Sequence, residues 1–182
     1  MEWKKKWALQ PGLMLITVVI WSVFVGLCIE TGAILFNTLY SLARPIAAQN
    51  LYKGLDLSGL MARDMRHYIG ILSVILYMNA LKAYMFYLMI RIFLKINLIH
   101  PFSKPVSNLI AQISQIAMQI GIVIIFTIAY LDWLAKRGFE IPDLGSSTEG
   151  AFEYILMGII IYAISKVFKR GLEIQSENEL TI

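Results

Sequence analysis

The chain has 182 residues, of which 58% are apolar and 15% charged, with a formal net charge of +4. Soluble domains carry about 45–50% apolar and about 25% charged residues, and disordered chains lack the 12% of aromatics found here. Both classes are excluded, which leaves an integral membrane protein; a single cysteine, Cys28, also excludes an internal disulfide framework.

In chain order, Lys4, Lys5 and Lys6 precede an apolar run that begins near Leu13, the layout of a secretory signal. Leu27 is too large for the residue before a lipidated cysteine, and apolar character resumes after Glu30 at 33–36. A retained span is therefore expected. A helix needs about 20 residues to cross the hydrocarbon core, and four stretches meet that need, near 13–36, 68–90, 110–131 and 151–168. The expectation is an all-α integral membrane bundle of four transmembrane helices in one domain, 1–182, with a tail at 171–182.

The connection at 37–67 is long. Arg44-Pro45 predicts a break, and Leu57, Leu60, Met61, Met65 and Tyr68 then recur at helical spacing. That pattern predicts an amphipathic outer helix running on into the second span. After the second span, Ser103 is the expected N-cap of the third, with Pro105 in its first turn. Trp3, Trp7, Tyr130, Trp133, Phe152 and Tyr154 sit near the predicted span ends, where amphipathic aromatics prefer the headgroup level.

Four spans put both termini on one side. With the N-terminus inside, Lys4, Lys5, Lys6, Arg91, Lys95, Lys104, Lys166, Lys169 and Arg170 are cytoplasmic; Arg44, Lys53, Arg63, Arg66, Lys136 and Arg137 are outside. Nine against six predicts N-in, C-in.

Ionisable and amide side chains within spans are the candidate functional groups. Asn79 and Lys82, three residues apart, share a face of the second span. Asn108, Gln112, Gln115 and Gln119 fall within about 60° of one another on the third. At similar depth they predict one inner-leaflet polar cluster of Asn79, Lys82, Gln112, Gln115 and Gln119. It serves either as interhelical packing or as a small cavity open to the cytoplasm. Ala117 and Gly121 would allow close helix approach beside it. Glu30 is expected near the outer boundary, about 12 Å from Lys82 in depth, with Arg63, Arg66 or His67 as partners. No catalytic constellation is found. His67 and His100 lie on opposite sides and cannot share a metal, and there is no phosphate loop and no basic stripe for nucleic acid. A non-enzymatic chain without cofactor or metal is expected. In the tail, Leu172 and Ile174 alternate with Glu173, and Leu180 and Ile182 with Thr181, a pattern able to add as a strand to a partner's sheet.

Two segments carry a resemblance. One is Asn97-Leu98-Ile99-His100-Pro101-Phe102-Ser103 between the second and third spans. The other is the ending from Val167 through Lys169-Arg170-Gly171 and an acidic stretch to Glu179-Leu180-Thr181-Ile182. Together they resemble an uncharacterised bacterial family of small four-span membrane proteins with a domain of unknown function. This chain departs from that pattern in its longer first outer connection and in Lys104 and Pro105, which replace acidic residues. Such proteins are often encoded beside a Cro/CI-like helix-turn-helix repressor. The resemblance implies the bacterial inner membrane and a membrane-embedded regulator or sensor that docks a cytoplasmic helix-turn-helix transcription factor. The docking surface would comprise Pro101, Phe102, Ser103, Lys169, Arg170, Gly171, Glu177, Leu180, Thr181 and Ile182. The alternatives are a small transport-related or immunity-type protein using the polar cluster, and a structural accessory subunit. Self-association stays open.

Overall fold

A computed structural model describes residues 11–52, 54–96, 102–141 and 144–179. Five α-helices account for most of them: α1 (Pro11–Ala43), α2 (Ser58–Arg63), α3 (Met65–Lys95), α4 (Lys104–Lys136) and α5 (Ala151–Glu179). Short 3-10 turns occupy Pro45–Gln49 and Gly145–Ser147, and no strand occurs among the described residues. The chain is thus all-helical, and α1, α3, α4 and α5 are each long and apolar enough to cross a membrane. At 1.5 Å per residue they measure roughly 43–50 Å, beyond the hydrocarbon core of about 30 Å. Each extends past the stretch that hydropathy marks.

The helix ends follow local chemistry. Asp64 is extended (φ −154°, ψ 109°), and its carboxylate accepts the Arg66 N–H at 2.8 Å. This N-cap starts α3 afresh, so α2 is a separate helix of six residues rather than a continuation of the span. Ser103 takes the N-cap place of α4 with extended backbone and Pro105 in the first turn, but without a side-chain capping bond.

The helices stand in a folded row. α3 packs against α1 on one side and α4 on another, and α5 packs chiefly on α4. Half of the most apolar stretch of α4 is buried and 39% of that of α3, but only 11% of those of α1 and α5, so α3 and α4 form the core. One apolar cluster gathers Ile34, Leu57, Leu60, Tyr68, Ile71 and Leu134 beneath the 44–64 connection. The other gathers Met78, Met85, Leu88, Ile113, Ile120 and Ile124 toward the far end.

Side-chain pairs fix the antiparallel registers. Tyr68 donates to Ser41 at 2.5 Å, and Phe24 meets Tyr87, which aligns α1 with α3. His67 bonds Tyr130 and Gln119 bonds Tyr77, which aligns α3 with α4. Gly121 lies against Ala151 and Ile155, Gly158 against Ser114 and Met118, and Gly171 against Phe102, which aligns α4 with α5. These registers bring Arg91, Lys95, Lys104, Lys166, Lys169 and Arg170 to one end of the bundle, called here the basic end. They also show that α5 begins opposite Gly121, about 22 Å short of the end of α4. Tyr154 therefore sits within the bundle and not at its rim, contrary to its expected place as an interfacial anchor.

A candidate polar site at mid-depth

Lys82 is half-buried on the arc of α3 that carries Ile75 and Met78, and its ammonium lies 5.9 Å from the ring centroid of Tyr154 on α5. An ammonium near an aromatic face is attracted by the ring quadrupole. The α1–α3 register sets Glu30 level with Ala80, within about 3 Å of Lys82 in depth. Glu30 also shares a packed stripe with Ile34, Asn37 and Ser41, at 4-3-4 spacing. Ile34 and Ser41 are buried, and Asn37 donates to the Leu51 carbonyl. The half-buried Glu30 thus belongs to the bundle side of α1. Its expected place at the outer boundary is corrected: α1 runs to Ala43, so Glu30 falls near the middle of that helix.

Of the partners expected for Glu30, Arg63 and His67 are engaged elsewhere. Arg63 donates to the carbonyls of Gly138 and, at 3.2 Å, Arg137, and its guanidinium lies 4.2 Å above the Phe139 ring. His67 shares a hydrogen bond of 2.6 Å with Tyr130, sits 3.9 Å from the Asp64 carboxylate and contacts the rings of Trp133 and Phe139. Arg66 binds Asp64 through its backbone. That bond holds the Asp64 carboxyl below the usual carboxylate value, with the charges of His67 and Arg66 adding to it against partial desolvation. These residues form an aromatic and ionic clasp joining the α2–α3 corner to the end of α4.

The amides do not join Lys82. Gln112, Gln115 and Gln119 are exposed, as is Asn108, whereas Asn79 is buried on the side of α3 that carries Tyr68 and Leu72. The expected five-residue cluster is therefore not assembled. Equal depth does not fix azimuth: the buried seam of α4 is Leu109, Ile113, Ile116 and Ile120, one residue round from the amides. Gln119 alone reaches a neighbour, donating to the Tyr77 hydroxyl. Ala117 and Gly121 do permit close approach, but to α5.

At the basic end, Phe102 packs edge-on against Phe168 with ring centroids 5.2 Å apart and lies where a Cβ of Gly171 would stand. This clamp joins the 102–104 turn to the tail. Sequence reading placed both segments on one surface but did not pair them; the missing signal was glycine opposite an aromatic. The tail is helical to Glu179, with Arg170 paired to Glu173 at 2.9 Å, and not the strand that its alternation could form. Pro101, Leu180, Thr181 and Ile182 lie outside the described residues. Within the described residues no group of His, Cys, Asp or Glu is placed to hold a metal ion.

Residues 43–182 match the family model described as protein of unknown function (DUF2975). The chain belongs to that family. The match begins where α1 ends and takes in the clasp, Lys82, the α4 amides and the tail. The comparisons with curated proteins and with solved structures find no match.

Proposed function

We propose that this chain is a non-enzymatic, membrane-embedded regulator whose basic end faces the cytoplasm and docks a helix-turn-helix transcription factor. The observation that carries this reading is the continuity of α5. One helix runs from beside Lys82 in the bundle to Glu179 beyond the basic end, and the Phe102–Gly171 contact seats it against the α4 turn. A change in the seating of α5 among the other helices would shift the exposed tail without any further moving part. The basic band at that end supports its cytoplasmic placement. The nature of the partner follows from the sequence resemblance. The docking surface then consists of Phe102, Ser103, Lys169, Arg170, Gly171 and Glu177, together with Pro101, Leu180, Thr181 and Ile182.

Cross-linking in native membranes, followed by purification of the full chain and of a version lacking 171–182, tests this. A helix-turn-helix protein recovered only with the tail supports the reading, and no tail-dependent partner overturns it. A second reading, a small transport-related or immunity-type protein, is favoured by one observation: Glu30 and Lys82 lie level at mid-depth. Under that reading Lys82→Met abolishes function and tail deletion spares it.

A further inference from the structure

The exposed face of α4 carries a second seam. Asn108, Gln112, Gln115, Gln119, Ile122, Phe126, Ala129 and Trp133 follow one another at 4-3-4-3-4-3-4 spacing, and all eight are exposed. That is the heptad spacing at which two helices interlock side chain into hole. The seam lies one residue round from the buried one that meets α3. Its apolar half includes Phe126, 70% exposed, and its amide half runs from the basic end toward the middle of the helix.

Amides have no inexpensive place against lipid, because hydrocarbon offers them no hydrogen bonds. Among the described residues, the side chains of Asn108, Gln112 and Gln115 make no hydrogen bond, and that of Gln119 makes one, to Tyr77. The chemistry of the seam selects its occupant. Each primary amide carries both donors and an acceptor, so two glutamines can pair with an N–H of each donating to the carbonyl of the other. From 108 to 133 the seam holds no formal charge that would repel a copy of itself. A two-fold axis along the membrane normal sets two α4 helices parallel and brings each seam residue to its own equivalent.

We infer that the chain pairs with a second copy of itself through the seam from Asn108 to Trp133 on α4, with the glutamines as the polar pairs that set its register. The inference is independent of the docking reading, since the tail takes no part in it.

The test is cysteine cross-linking in native membranes. In a Cys28→Ala background, single substitutions Gln112→Cys, Gln115→Cys, Gln119→Cys and Phe126→Cys place a thiol on the seam. Ile125→Cys and Ile159→Cys place one at exposed positions off it. Oxidation is expected to give a product of twice the monomer mass, with about fivefold more at seam positions than off them. Equal yields at all positions, or a product of another mass, would overturn the inference. Photobleaching counts on the fluorescently labelled, otherwise unsubstituted chain in dilute lipid vesicles provide a second readout free of substitution. Two steps are expected, and single steps throughout would overturn pairing.

Discussion

Gly121 and Gly158 set how closely α4 and α5 approach. A Cβ at Gly121 would stand 2.7 Å from the Ala151 carbonyl oxygen, and one at Gly158 would stand 2.9 Å from the Met118 backbone nitrogen. Backbone atoms cannot swing aside, so either Leu substitution is expected to cost about 1–3 kcal/mol through overpacking. Reversible unfolding in detergent mixtures measures this; an unchanged midpoint would refute the close packing. Asp64 supports a second prediction, on pH. Its folded-state carboxyl lies below the ordinary value of 3.8, so its stabilising effect is complete above that value and is lost as pH falls through the lower folded-state value. Acidification below about pH 4 should therefore loosen the first turn of α3. Hydrogen exchange at the Arg66 amide is expected to accelerate there, and Asp64→Ala should remove the pH dependence.

Among the helices, the spans were legible because apolar runs of membrane length have few other uses. Azimuth was not. The amides of α4 share a face in the sequence, yet nothing in one helix says which face its neighbours take, and the buried seam proved to be one residue round. Depth failed for Glu30 because hydropathy fades at 36, while the helix continues to Ala43. The helix of the tail was hidden for a different reason. Leu172 and Ile174 alternate with Glu173 as in a strand, but the helix propagates from α5 and gains the Arg170–Glu173 pair. Gly171, costly in an open helix, is the residue that admits the Phe102 ring. Level placement of Glu30 and Lys82 carries a prediction at this scale, concerning the α1–α3 pairing. Glu30→Gln and Lys82→Met are expected to couple, the double variant being about 1 kcal/mol more stable than the sum of the singles implies. Additive effects in a double-mutant cycle would show that the two do not interact.

At the scale of the whole molecule, α3 and α4 form a fixed core, braced at one end by the Asp64–His67–Tyr130 clasp. α5 crosses beside that core with few other contacts and ends in the tail. Its close packing along α4 through Gly121 and Gly158 is what a relay between bilayer and tail would need, because a tightly seated helix carries a shift at one end to the other. Family membership over 43–182 covers the core, the clasp and α5 together. The most direct measurement is tail-dependent partner recovery from membranes carrying Gly158→Ala, which alters the seat of α5 within the bundle and leaves every tail residue in place. The account predicts that recovery changes severalfold relative to the unsubstituted chain, even where the protein is equally abundant and folded. Recovery unchanged by that substitution would show the tail to be a passive tether and would contradict a regulator that relays the state of the membrane.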